Sequence, residues 1–135
     1  MDHAWLMRFL KHRLSDKRIL RLIAKWLKAG VLEEGKRTRT STGTPQGGVI
    51  SPILANVYLH YVIDLWVTKV APKHIKGEMH SIRYADDSLF CFQRLDDAMR
   101  FKKALTQRLG KFGLRVNDSK SQLCRFGRHH KLCAG

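Results

Sequence analysis

A chain of 135 residues, 44% of them hydrophobic, is long enough for one domain with its own core and too apolar to be disordered. Its 26 Lys and Arg against 11 Asp and Glu leave a formal net charge of +15, which makes a polyanion the natural partner. The excess is uneven: residues 1–40 carry eleven basic and four acidic side chains, residues 41–99 five and six, and residues 100–135 ten and one. Both ends are basic around a near-neutral middle, as suits a nucleic acid gripped on either side of a carboxylate-bearing site. Cys91, Cys124 and Cys133 form no Cys-x-x-Cys pair; Cys91 reads as core, and Cys124, His129, His130 and Cys133 match no zinc-ligand spacing. The simplest inference is a reduced, intracellular protein, with Met1-Asp2-His3 leading into a helix rather than a signal peptide.

In chain order, Ala4 to Arg13 predicts a first helix with Trp5, Leu6, Phe9 and Leu10 on one face. Ser15 is the expected N-cap of a second helix that runs to about Ala29, with Gly30 as its stop. Its apolar face is Ile19, Leu22, Ile23, Trp26 and Leu27. Lys17, Arg21, Lys25 and Lys28 form one basic stripe, which is either a solvated face or a backbone-phosphate contact. Two helices joined by a short turn also raise a helix-turn-helix DNA reader, but these apolar faces look committed to a larger core. Lys36 to Ser41 alternate basic and hydroxyl side chains as an exposed strand would. Thr42 to Gly48 is a loop rich in Gly, Thr and Pro.

A long helix is expected from Ser51 to about Val70, with Pro52 at its first position. It is apolar enough to suggest a membrane span, but Asn56, His60, Asp64 and Thr68 recur every fourth residue and draw a single polar stripe. That is a buried helix with one wet edge. A loop, Ala71 to Glu78, precedes two β-like runs, Met79 to Arg83 and Leu89 to Phe92, which flank Tyr84-Ala85-Asp86-Asp87. Leu95 to Phe112 is a further amphipathic helix ended by Gly113. Short strands are expected at Leu114 to Val116 and Gln122 to Phe126, joined by Asn117-Asp118.

Two features carry chemistry. Adjacent carboxylates at a hairpin tip repel each other, and a hard divalent cation relieves that repulsion while sharing substrate phosphates. Asp86 is the residue expected to aim into the site, with Asp87 reaching the metal from the turn or holding the tip. Asp is also a common turn residue, and the pair by itself favours that blander reading. The second feature is the loop Thr42-Gly43-Thr44-Pro45-Gln46-Gly47-Gly48. It is not a Walker A loop, since no Gly-Lys-Ser/Thr follows, but its glycines let backbone approach a phosphate or a flat base pair.

Thr44-Pro45-Gln46-Gly47-Gly48-Val49-Ile50-Ser51-Pro52, continuing through His60, closely resembles motif B of group II intron-encoded reverse transcriptases. Arg83-Tyr84-Ala85-Asp86-Asp87 resembles their motif C. Phe112-Gly113-Leu114 with Ser119-Lys120-Ser121 resembles motif D, and Asp2-His3-Ala4-Trp5-Leu6 the segment just after motif A. The motifs come in the family's order, and the likeness covers about Asp2 to Gly127.

The resemblance implies an α+β fold: a polymerase palm with a small antiparallel sheet backed by helices. Residues 1–135 would be a partial reverse transcriptase domain. It implies template-directed addition of deoxynucleotides to a DNA primer on an RNA template, with Mg²⁺ as cofactor, intron RNA as a further partner and no membrane. Asp86 would be a direct metal ligand and Asp87 would assist the primer-side metal. Pro45, Gln46 and Gly47 would line the nascent base pair, Tyr84 would lie by the primer terminus, and Lys120 would act as general acid near the pyrophosphate. Basic side chains of the first two helices, the stripe Lys17, Arg21, Lys25 and Lys28 among them, and of the tail would hold backbone phosphates. The family's further catalytic aspartate, in motif A, would lie several residues before Asp2, and the fingers and thumb would also lie outside residues 1–135. The expectation is therefore a palm fragment with little or no activity alone. The alternative is an RNA-binding, maturase-like remnant that assists splicing without synthesis.

Overall fold

The computed structural model of the chain describes residues 1–29, 31–33, 36–38 and 51–126. Helix α1 spans His3–Arg13 and begins where the Asp2 carboxylate accepts hydrogen bonds from the N–H groups of Ala4 (2.8 Å) and Trp5 (3.0 Å). It buries Leu6 and Leu10. Helix α2 spans Lys17–Ala29. Asp16, not the expected Ser15, supplies its cap: the Asp16 carboxylate accepts the Arg18 N–H at 2.7 Å, and Ser15 stands one residue too far out. Ile23 and Leu27 are buried, whereas Ile19 and Leu22 are 46% and 68% exposed. The buried face of α2 is therefore narrower than its spacing predicts, because among the described residues the helix is covered along one edge.

Strands β1 (Val31–Glu33) and β2 (Lys36–Thr38) pair antiparallel, Val31 opposite Thr38. The expected limb Lys36 to Ser41 is met over Lys36–Thr38. Its remainder, Gly30, and the loop Thr42 to Gly48 lie outside the described residues.

The long helix expected from Ser51 is present in three consecutive pieces. These are α3 (Ser51–Leu59), a π-helical turn (His60–Asp64) and α4 (Leu65–Lys69). Leu54, Tyr58, Val62, Ile63 and Val67 face the core. Arg108 donates from Nε to the Val62 carbonyl at 2.5 Å and from Nη2 to the Tyr61 carbonyl at 3.4 Å, both within the widened turn. Its guanidinium also lies 5.5 Å from the Trp66 ring centre and 5.2 Å from that of Phe112. Tyr58, 1% exposed, donates to the Phe112 carbonyl at 2.6 Å and accepts the Asp2 N–H at 3.4 Å. One phenol thus ties the start of α1, the C-terminal end of α3 and the end of the last helix. Phe9 stacks on Tyr61 with ring centres 4.7 Å apart beside it.

A 3-10 turn (Ala71–His74) leads to the hairpin of β3 (Met79–Tyr84) and β4 (Asp87–Phe92), which is backed by α5 (Leu95–Lys111). Phe101 of α5 meets Trp66, Phe90 and Phe92 at ring-centre distances of 5.3, 4.8 and 5.0 Å. Asp97 is 1% exposed in the first turn of α5, where its carboxylate accepts the N–H groups of Lys76 (3.2 Å) and Gly77 (2.9 Å) and pairs with Arg100. Burial alone would raise its pKa. The two backbone donors and the guanidinium outweigh burial and hold the carboxyl below its ordinary value. Gly113, at φ +68°, closes α5: the Leu114 N–H reaches the Leu109 carbonyl (2.9 Å) and the Gly113 N–H the Gly110 carbonyl (3.1 Å), a Schellman motif.

The expected strands at Leu114 to Val116 and Gln122 to Phe126 do not form. A turn closed by the Lys120 N–H on the Asn117 carbonyl (3.1 Å) separates two irregular segments, and Leu123 and Phe126 are 46% and 70% exposed. Their apolar residues suit a strand, but no described strand lies beside them to complete a ladder. The architecture is α+β: two antiparallel hairpins with helices, the second hairpin packed on α5. Among the described residues no helix is long and apolar enough to cross a membrane.

Tyr58→Phe is expected to cost about 1–2 kcal/mol in urea unfolding, because it leaves the buried Phe112 carbonyl and the Asp2 N–H short of a partner. Asp97→Ala is expected to lower the melting temperature followed by circular dichroism, since it strands the N–H groups of Lys76 and Gly77.

Candidate active site at the β3–β4 hairpin

The register of the hairpin decides what its tip presents. Tyr84 pairs with Asp87, so the turn is the two residues Ala85-Asp86. Asp86 sits in the turn and Asp87 opens β4, rather than Asp87 reaching in from the turn. Ala85 adopts φ +53°, a left-handed conformation that hairpins usually assign to glycine.

Paired residues share a face of the sheet. Met79 with Phe92, Ser81 with Phe90, and Arg83 with Ser88 lie on the inner face, where Phe90 and Phe92 meet Phe101. His80 with Cys91, Ile82 with Leu89, and Tyr84 with Asp87 lie on the outer face. There Ile82, Tyr84 and Leu89 are 69%, 83% and 59% exposed. Cys91, expected in the core, is half-buried on this outer face. Tyr84, Asp86 and Asp87 thus gather at one exposed tip. Neither the Asp86 nor the Asp87 side chain makes a hydrogen bond or ion pair among the described residues, so all four carboxylate oxygens remain available as hard ligands. No group of three or more His, Cys, Asp or Glu side chains converges on one point among the described residues.

The tip is tied down from below by Arg83. Its Nε and Nη2 donate to Asp64 Oδ1 and Oδ2, both at 2.7 Å. Its Nη1 donates to Asn56 Oδ1 at 2.9 Å and to the Ala85 carbonyl at 2.6 Å. His60 Nδ1 lies 3.3 Å from Asp64 Oδ2. The polar stripe of Asn56, His60 and Asp64 is legible in the sequence, but its task is not. Spacing locates such a stripe; only the fold shows that an arginine of motif C meets it. Thr68, the fourth member, bonds back to the Asp64 carbonyl at 2.9 Å instead.

Lys120 is exposed in its turn after α5, and no hydrogen bond or ion pair among the described residues joins its side chain to the hairpin. Lys17, Arg21, Lys25 and Lys28 are all exposed along α2, without an acidic partner among the described residues. Pro45, Gln46 and Gly47 lie outside the described residues.

Comparison with known proteins accounts for the motifs. Residues 1–131 match the family described as reverse transcriptase (RNA-dependent DNA polymerase). The group II intron-encoded protein LtrA of Lactococcus lactis subsp. cremoris is 47% identical over 73 residues, 54% of this chain and 12% of that protein. An uncharacterized 91 kDa protein in the cob intron of Schizosaccharomyces pombe is 47% identical over 60 residues, 44% of this chain and 7% of that protein. A putative COX1/OXI3 intron 1 protein of Saccharomyces cerevisiae is 34% identical over 80 residues, 58% of this chain and 10% of that protein. The chain therefore spans only a small part of the length of the curated relatives it matches.

The Arg83 guanidinium holds the Asp64 carboxyl below its ordinary value of 3.8, against a smaller opposing effect of burial. A carboxylate depressed by folding stabilises the chain fully above its unfolded pKa and loses that contribution as pH falls through the folded one. Stability to urea is expected to decline below about pH 4. Asp64→Asn should remove part of that decline and lower stability at neutral pH, leaving the parallel part due to Asp97.

Proposed function

The chain belongs to the reverse transcriptase (RNA-dependent DNA polymerase) family, and from that premise we propose that it forms the catalytic palm portion of an intron-encoded polymerase. The reaction is template-directed transfer of a deoxynucleotide to a DNA primer 3′ end, with RNA as template and intron RNA as a further partner. The observation that carries this reading is the anchored hairpin that presents Asp86 and Asp87 exposed and unpaired at one tip.

Two adjacent carboxylates suit Mg²⁺, which takes one or two protein carboxylates and fills its remaining positions with water and substrate phosphate. Bound there, Mg²⁺ supplies activation of the primer hydroxyl and charge stabilisation on the leaving phosphate. The protein's part is to place the ligands and the substrate. Asp86 would be the direct ligand, and Asp87 would assist on the primer side. Tyr84, beside Asp87 on the outer face, offers an exposed ring to the primer terminus. Pro45, Gln46 and Gly47 shape the pocket for the nascent base pair. Lys120 donates a proton to the departing pyrophosphate. Lys17, Arg21, Lys25 and Lys28 hold backbone phosphates along α2.

The unpaired cations of α2 equally favour a second reading, an RNA-binding unit that assists splicing without synthesis. Primer extension on an RNA template with Mg²⁺ separates the two, measured on the chain alone and on a version continued upstream. Extension by the longer version that Asp86→Asn reduces to background supports the polymerase. Undiminished extension by the Asp86→Asn variant refutes the site, and RNA binding without extension by either version leaves the splicing role. In both readings the α2 stripe has a measurable signature. Replacing its four cations with Gln is expected to flatten the dependence of log K on log salt for RNA by about 3, roughly 0.7–0.9 for each phosphate no longer neutralised.

A further inference from the structure

We propose that Arg83 is a positioning residue, a clamp that sets the direction in which Asp86 leaves the hairpin. The inference rests on the reading of Asp86 as a metal ligand and adds what aims it.

Ala85 holds φ +53°, a conformation that costs an L-residue free energy and that a two-strand ladder imposes only weakly at its tip. The carbonyl that Arg83 Nη1 grips at 2.6 Å belongs to the peptide joining Ala85 to Asp86. A peptide unit is planar, so fixing its oxygen also fixes its N–H and the bond leading to the Asp86 Cα. The grip therefore acts on the backbone of Asp86 without touching its carboxylate.

The other end of the clamp lies on the long helix. Asp64 takes Nε and Nη2 in a two-point fork at 2.7 Å each, and Asn56 takes Nη1 at 2.9 Å. The Arg83 side chain is 16% exposed and that of Asp64 30%. Four hydrogen bonds from one rigid plane leave the guanidinium no freedom to turn, and they refer the hairpin tip to the α3–π–α4 helix rather than to its own ladder. The spacing of Asn56 and Asp64 across the π-helical turn sets both acceptors on the same edge for this purpose. Lysine cannot substitute: one ammonium nitrogen has no planar fork, and it cannot hold carboxylate, amide and carbonyl in a fixed relative geometry.

The clamp predicts a separation between fold and aim. Arg83→Lys preserves the charge opposite Asp64. Asn56→Ala leaves the Arg83–Asp64 pair whole and removes one anchor, which guards against simple unfolding. Both variants are compared with the unaltered chain by ¹⁵N relaxation at Ala85, Asp86 and Asp87, and by Mn²⁺ binding followed by electron paramagnetic resonance. The expected result is an order parameter near 0.85 at the tip of the unaltered chain and below about 0.6 in Arg83→Lys. Mn²⁺ affinity should fall about tenfold in Arg83→Lys, with a smaller loss in Asn56→Ala, while the far-ultraviolet dichroism of both stays native. A tip as rigid in Arg83→Lys as in the unaltered chain would overturn the clamp. Failure of the underlying metal reading looks different: Mn²⁺ would then bind Asp86→Asn as well as it binds the unaltered chain, whatever the tip order parameters show.

Discussion

One guanidinium ties the tip of the β3–β4 hairpin to the long helix. Arg83 leaves the inner face of β3 and meets Asp64 and Asn56 on the long helix, while its remaining bond returns to the Ala85 carbonyl in the turn it supports. A partly exposed ion pair of this kind contributes little net stability, about 0–1 kcal/mol. Replacing such a pair with apolar side chains is often neutral. What an apolar pair cannot supply is direction. Dispersion holds surfaces together without fixing a rotation, whereas a planar fork with four partners does. The tip carries two carboxylates that have no partners of their own among the described residues, so their orientation has to come from elsewhere in the fold.

The same division recurs at the other end of the hairpin. The aromatic contacts of Phe90 and Phe92 with Phe101 supply the burial, and Asp97 supplies the geometry by taking the N–H groups of Lys76 and Gly77 just before β3 begins. Arg108 performs a third such task on the π-helical turn, bonding the carbonyls of Tyr61 and Val62 and so steadying the stretch that ends in Asp64. Base, tip and supporting helix of the hairpin are each held by the hydrogen bonds of one charged side chain.

Much of this was legible in the sequence, for physical reasons that differ from element to element. Apolar spacing located α1, α2, α5 and the long helix, since a helix that buries one face must repeat near every fourth residue. The turn chemistry and flanking β-branched and aromatic residues located the β3–β4 hairpin. The motifs around Gln46, Asp86 and Lys120 identified the family. Spacing failed where an outcome depends on a partner. Leu114 to Val116 and Gln122 to Phe126 have strand-like composition but no described neighbour to pair with. Leu22 has helical spacing but no described surface above it, and Cys91 lies in an apolar run on the outer side of its sheet. The role of Arg83 was hidden for the same reason: the stripe of Asn56, His60 and Asp64 could be drawn, but the side chain that meets it comes from a strand 19 residues beyond Asp64. Lys120, expected near the pyrophosphate from the motifs, makes no hydrogen bond or ion pair with the hairpin among the described residues.

The central claim is that Asp86 and Asp87 together form a divalent-cation site at the hairpin tip. Its most direct test is a Mg²⁺ titration followed by the ¹³C shifts of aspartate side-chain carboxyls. The account predicts saturable shifts of Asp86 and Asp87 at Mg²⁺ concentrations that leave Asp96 and Asp118 unmoved. Weak, unsaturating shifts of equal size at all four would contradict it.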